Sequence, residues 1–435
     1  MRAGFFEKDV TPPVGAYLAG YPSRNEPSQG ADDPLYLRIV ALEDDAGERL
    51  VLVTADLLKF PRDMAWRTKV WCQRTHGLRS PLVIVNLSHT HSAPALFLQR
   101  CYPQWPLNLD YVNALEQSIR DGISAALADL RPMRVQYGLH QAHFGISRRL
   151  PQPENGGRVV LSPNPDGYYD PDLPVFTFSE GDELKAVLYS YACHPTSKAT
   201  LNISADWPGL VSRGLKQELG DDVLTFFVQG AGASIMPRCP QRDGQEEYER
   251  YWRAAAGDIA AFVGSATMRA VDLQLHGLEK EFELPYDLTR VPSEEALLEL
   301  ANPAESPVPA AFRPANRSIL RQWARDLLEQ VRTDSVATGF RMHLGKVRLT
   351  DSLQLFTLSG EVTAEVGRLV KDLYPERQTL FFGYCSYTDA YIPTAAMLPE
   401  GGHEALGSVF FHDRPAPFTA EIDEILKREV LSLRV

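Results

Sequence analysis

Two histidines one residue apart, His89 and His91, close an apolar run in the segment PLVIVNLSHTHSAP at Pro81–Pro94. Alternate side chains of a strand share a face, so this spacing predicts that both imidazoles project from one side of one strand end. Such an end is a stiff platform, and an imidazole pair there can hold a divalent metal. The same residues could instead be polar strand-end groups bonded to backbone, so a metal needs partners from elsewhere. Three other apolar runs end in chemistry-bearing groups. KAVLYSYACHPTS carries His194 before Pro195, LQLFTLSGEVTAEVGRLV carries Glu361 where helical periodicity begins at Thr363, and FFGYCSYTDAYIPT carries Tyr387, Asp389 and Tyr391. Two histidines and one glutamate with an open place for water make a catalytic zinc shell, which points to His89, His194 and Glu361. The competing reading of Glu361 is a first-turn carboxylate facing a helix dipole. The remaining histidines carry weaker claims: His76 ends a helix, and His276 and His343 lie in strands beyond any cluster.

The elements that must hold these groups are legible in outline. Leu35–Leu42 and Leu50–Leu57 read as paired strands joined by a turn containing DDAGE. Asp63–His76 and Leu109–Leu130 have helical spacing, and Met133–His140, Leu184–Cys193, Val223–Gln229 and Thr379–Tyr384 read as strands. Glu246–Ala270 reads as one long helix, and Pro151–Leu173, rich in Pro, Gly, Asn and Asp, as an extended surface loop. Pro285–Pro314 places several prolines around a short acidic helix, which predicts a lid or insertion spanning about residues 285–333. Strands and helices interleave to the last residues, so the expectation is one α/β domain over residues 1–435, with mixed β-sheets flanked by helices.

A net charge of −12 argues against nucleic acid or an anionic membrane surface as the main partner. No apolar run approaches the roughly 18 residues of a transmembrane helix. The opening MRAGFFEKDVTPP does not read as a signal peptide. Cys72, Cys101, Cys193, Cys239 and Cys385 are scattered and odd in number, which suits free thiols in a cytoplasmic protein. Removal of a leader would reverse that expectation to secretion. Oligomeric state is not legible.

The ordered set of motifs resembles the neutral/alkaline ceramidase family. DVTPP at Asp9–Pro13 with Gly20-Tyr21, TADLL at Thr54–Leu58, SHTHSAP at Ser88–Pro94 and ACHPTS at Ala192–Ser197 follow the family order. ISADWPG at Ile203–Gly209, QGAGASIMPR at Gln229–Arg238, SGE at Ser359–Glu361 and AYIPT at Ala390–Thr394 continue it. The resemblance covers the catalytic domain, without the family's C-terminal β-sandwich, and implies a neutral-ceramidase-like fold. It also implies a zinc ion (Zn2+) held by His89, His194, Glu361 and Tyr391. His91 then becomes a neighbour that contacts substrate or water, and Arg148 in GISRR becomes the arginine that faces substrate and supports developing negative charge. Three positions depart from the family pattern. Ser234 stands where an aspartate, a candidate general base, is usual; Met236 replaces a serine; and His403 in EGGHE takes the place of a second tyrosine. An imidazole can titrate near neutrality where a phenol cannot, so His403 could replace part of that chemistry.

The resulting expectation is a zinc-dependent hydrolase acting on an amide or related acyl bond of a small-molecule or lipid-like substrate, with His91, Arg148, Tyr391, His403 and Ser234 as candidate catalytic residues. Two alternatives stay open. One is a zinc enzyme acting on carbohydrate, with Tyr168 and Tyr169 stacking on sugar rings; the other is a catalytically impaired metal- or ligand-binding homologue.

Overall fold

The structure, a computed structural model, describes residues 1–97, 107–241, 244–302 and 314–433. The first strands, β1 (Arg2–Asp9), β2 (Tyr36–Glu43), β3 (Arg49–Ala55) and β4 (Val83–Leu87), lie in the order β4-β3-β2-β1. The β2–β3 hairpin forms as expected, and the Asp44 carboxylate closes its turn by accepting from the Ala46 and Glu48 N–H groups. β3 and β4 are parallel, with helix α1 (Arg62–His76) crossing between them. Helix α2 (Leu109–Ala128) follows, capped by Asn108.

The next strands are β5 (Arg134–Gln141), β6 (Gly145–Gln152), β7 (Arg158–Asn164), β8 (Asp172–Glu180), β9 (Glu183–Tyr191), β10 (Leu224–Gln229) and β11 (Ile235–Pro237). A second sheet has the order β10-β9-β8-β5, with β9 and β10 parallel, and β11-β6-β7 makes a small third one. Helices α3 (Asp206–Leu219) and α4 (Gln245–Val263) cover the outer face of the second sheet.

The last large sheet joins β12 (His276–Pro285), β13 (Gly339–Arg348), β14 (Leu353–Leu358) and, after the two-residue β15 (Glu361–Val362), β16 (Gln378–Phe382). β14 and β16 are parallel. The β12–β13 connection carries helices α5 (Glu294–Ala301) and α6 (Pro314–Arg332), so the proline-rich segment is an insertion between two paired strands. Its residues 303–313 lie outside those described. The strand β17 (Tyr391–Ile392) pairs with β15, and helices α7 (Ala364–Asp372) and α8 (Ile422–Ser432) cover the outer face of this sheet.

The three large sheets turn their inner faces to one shared core, in which Phe5, Leu52, Phe178, Phe226, Leu355 and Phe382 are buried together. Each such side chain contributes roughly 1.5–3 kcal/mol on burial. Asn86, fully buried in β4, locks the three sheets at one end. Its amide donates to Gln229 and Gly383 carbonyls, at 3.1 and 2.7 Å, and its oxygen accepts the Gln229 N–H at 2.8 Å. The expected α/β class with mixed sheets and flanking helices is therefore observed.

Two expectations are corrected. Pro151–Leu173 is not an extended loop, because Arg158–Asn164 forms β7 against β6; the half-exposed strand carries enough polar residues to read as loop. Glu246–Ala270 is not one helix, because α4 ends at Val263 and Arg269–Ala270 pairs with the edge of β5. Cys72, Cys193 and Cys385 are buried free thiols and Cys239 is buried, while Cys101 lies outside the described residues. Among the described residues no helix is long and apolar enough to cross a membrane.

Candidate metal centre

The carboxyl ends of the parallel strands β4, β9, β14 and β16 converge at the end locked by Asn86, and the loops that follow them meet there. This is where open α/β sheets place their ligand sites. β4 stops at Leu87, so the His-x-His pair is not on a strand, which corrects the shared-face expectation. His89 instead takes a left-handed conformation with φ 65°, as do Tyr384 at 53° and Ser386 at 68°. Such conformations in non-glycine residues are costly and persist where surrounding structure enforces them, commonly at functional sites. Here the His89 N–H donates to the Leu57 carbonyl at 2.9 Å and the His91 N–H to Pro195 at 3.3 Å.

Three imidazoles meet as a near-equilateral triangle. Ring centroids are 5.2 Å apart for His89–His91, 4.9 Å for His89–His194 and 5.1 Å for His91–His194. His91 Nε2 lies 3.2 Å from His194 Nε2, and Glu361 Oε2 lies 3.3 Å from His89 Nε2 and 3.7 Å from His194 Nε2. A tetrahedral zinc with bonds of about 2.0–2.1 Å sets its ligand atoms about 3.4 Å apart, so these separations fit a metal. Glu361 Oε2 is buried with no hydrogen-bond partner among the described residues, a second sign that a cation belongs there. His89, His91 and His194 thus form a buried cluster competent to bind a metal.

The outer ring nitrogens separate the three histidines. His89 Nδ1 is 2.8 Å from the Leu58 carbonyl, and His194 Nδ1 is 3.3 Å from the Gly232 carbonyl and 3.2 Å from the Tyr384 hydroxyl. His91 Nδ1 has no partner among the described residues. Metal-binding histidines nearly always anchor that second nitrogen. His91 is instead held by packing, with the Tyr21 ring edge-on at 5.0 Å and Gly20 against its imidazole. Gly20 has φ 100°, and a Cβ there would sit 2.6 Å from the His91 ring, so the Gly-Tyr motif is a seat for this histidine.

Glu361 and Tyr391 are brought together because β15 and β17 pair in parallel with these two residues in register. The turn into β15 depends on Gly360, at φ 94°, where a Cβ would collide with Ile392 at 2.7 Å. Arg148, on β6, sends Nη2 to the Tyr391 hydroxyl at 3.2 Å. His403 stacks edge-on against Tyr391, with ring centroids 5.0 Å apart, in a wide helical turn at His403–Gly407. Burial lowers the His91 and His194 imidazoles well below their ordinary range, and neighbouring charges, His89 for His91 and Arg148 for His194, add to this. Burial also works to raise the Glu361 carboxyl, but His89, His412 and His194 outweigh it and hold that group low.

Not every candidate converges here. The Ser234 hydroxyl is engaged at the start of α7, donating to Glu365 at 2.7 Å and accepting the Ala364 N–H at 3.0 Å. Tyr387 donates to the Arg341 carbonyl, and Asp389 pairs with Lys59 at 3.2 Å. Tyr168 lines a separate cavity of about 530 Å3. Two residues not singled out from sequence join the site: Tyr384, on His194, and His412, whose Nε2 lies 3.5 Å from Glu361 Oε1. A cavity of about 120 Å3 opens onto the imidazoles, bounded by Lys59, Phe97, Tyr391, His403, Phe411 and His412.

No protein-family model matches the chain, and no curated protein matches it. Among solved structures it resembles neutral ceramidase from Pseudomonas aeruginosa, with a TM-score of 0.72 and 18% identity over 99% of this chain and 73% of that one. A ceramidase complexed with C2 matches at a TM-score of 0.70 and 18% identity, over 99% of this chain and 74% of the other. At that identity the likeness establishes architecture: the chain folds as a neutral-ceramidase-like domain.

Proposed function

We propose that the protein is a zinc-dependent hydrolase of the ceramidase type, cleaving an amide or related acyl bond of a small-molecule or lipid-like substrate. The observation that carries this reading is the buried group of three imidazoles and one unpartnered carboxylate oxygen, spaced by 3.2–3.7 Å, at the mouth of a cavity. His89, His194 and Glu361 are the zinc-holding residues, with the Tyr391 hydroxyl beside them. When bound, zinc supplies a Lewis acid that makes water nucleophilic near neutral pH. His91, whose Nε2 lies 3.2 Å from His194 Nε2, is the group assigned to take and return a proton. Arg148 keeps a permanent charge 3.2 Å from the Tyr391 hydroxyl, where it supports negative charge developing on the substrate carbonyl oxygen. His403 packs on the other side of Tyr391 and gives the cavity a second proton-carrying group.

The test is metal analysis of the purified protein followed by assays against short-chain fluorescent ceramide, simple N-acyl amines and aryl esters. His89→Ala and His194→Ala are expected to lose both the metal and turnover. Full hydrolysis by metal-free protein overturns the reading.

A further inference from the structure

Glu404 is almost wholly buried, at 1% exposure, and two buried arginines share its carboxylate. Arg148 Nε donates to Oε1 at 2.8 Å and Arg149 Nη1 to Oε2 at 2.7 Å. Consecutive strand residues point to opposite faces, so two neighbouring arginines would not ordinarily reach one carboxylate. They do so here because the β6–β7 register shifts between Ser147 and Arg149, a bulge that turns both side chains inward. Arg149 is also fastened to Glu400 at 3.0 Å and to the Gly401 carbonyl at 3.1 Å, which fixes one end of the arrangement. At the other end, Arg148 has its Nε on Glu404 and its Nη2 on the Tyr391 hydroxyl. Glu404 itself lies in the wide turn His403–Gly407, and such π-type turns concentrate at functional sites.

We propose that Glu404 is a positioning residue: by clamping the Arg148 guanidinium it aims Nη2 at the Tyr391 hydroxyl and sets how that hydroxyl presents itself to the metal. Glu404 touches neither substrate nor metal and acts through Arg148. The proposal rests on the zinc reading above for its metal readout and on Arg148 alone for its structural one. A bridging carboxylate explains why two adjacent cations are tolerated in the interior, and by holding Nε it fixes the plane of the Arg148 guanidinium from which Nη2 donates to Tyr391.

The experiment compares wild type with Glu404→Gln, which keeps shape and removes charge. Zinc affinity is read by chelator competition, and ligand geometry by the visible absorption of cobalt-loaded protein. Removing a hydrogen-bonded outer partner is expected to weaken zinc on the order of 10-fold and to shift the cobalt bands. In a Tyr391→Phe background the same substitution should change zinc affinity less than about twofold, because the relay ends at the missing hydroxyl. Arg148→Lys, which keeps the buried charge balance but cannot span both partners, should reproduce the cobalt shift if Glu404→Gln folds poorly. Equal zinc losses in both backgrounds, or unchanged cobalt spectra, overturn the proposal. A wild type that takes up no zinc defeats the zinc reading. The crystal structure of Glu404→Gln then decides this one, since an Arg148 Nη2 still seated on the Tyr391 hydroxyl would show that Glu404 does not aim it.

Discussion

His89 and His91 are one residue apart in sequence and about 5 Å apart as rings, yet their surroundings differ. A ring whose Nδ1 is tied to the Leu58 carbonyl presents Nε2 as a fixed lone pair, as a ligand must. His91, seated by Gly20 and Tyr21, has no such tie at Nδ1 among the described residues. His91→Ala is accordingly expected to retain zinc at wild-type stoichiometry while turnover falls by about 10²–10⁴. Loss of zinc together with turnover would make His91 a ligand. The convergence of His89, His194 and Glu361 was foreshadowed in sequence because each follows an apolar run, and the ends of such runs meet in the fold. His412 and Tyr384 were not legible. His412 comes from a short turn at Phe410–His412 that only the tertiary fold brings to Glu361, and Tyr384 follows a strand whose apolar and aromatic residues it resembles.

At the scale of elements, Ser234 has a physical role in the fold. Its hydroxyl satisfies the Ala364 N–H, one of the orphan donors at the start of α7. Glu365 is in the same turn, and burial raises its carboxyl, so the serine hydroxyl also serves a partly desolvated acid. Ser234→Ala is expected to cost about 1 kcal/mol in urea unfolding, the usual worth of a helix cap, with zinc content unchanged. A loss of zinc without loss of stability would place Ser234 in the metal site instead. Several strands were readable, since alternating and continuous apolar runs mark β2, β3, β5, β9, β10 and β16, but their order in the sheets was not. The two-residue pair β15–β17, which sets Glu361 beside Tyr391, was not, because so short a strand has no periodicity and exists through its partner. The proline-rich segment stood out in sequence by its composition. That α5 and α6 bury Leu297, Trp323 and Leu327 with Leu58 and Phe410, next to the loops that hold the site, required the fold.

At the scale of the molecule, one ion-pair cluster fastens the first sheet's helix to the last sheet. Lys69 on α1 reaches Glu279 on β12 at 2.6 Å, and Glu279 also bonds His343 on β13 at 2.9 Å. His343, which the sequence placed beyond any cluster, therefore has a structural one, on the floor of an open groove of about 930 Å3. Burial tends to raise the Glu279 carboxyl, but the His343 hydrogen bond and the Lys69 ammonium prevail and hold it at about 2. A carboxyl depressed in the folded state contributes stability above its unfolded value near 4.5, and that contribution fades as pH falls towards about 2. The full contribution is at most about 3 kcal/mol for a shift of this size. Glu279→Gln should therefore be less stable than wild type at pH 7, and the two should converge between pH 4.5 and pH 2. Urea unfolding midpoints across that range, measured with EDTA so that both proteins are metal-free, check this. A gap that stays constant down to pH 2 would mean that Glu279 acts through packing, and that the tie between the two sheets is not electrostatic.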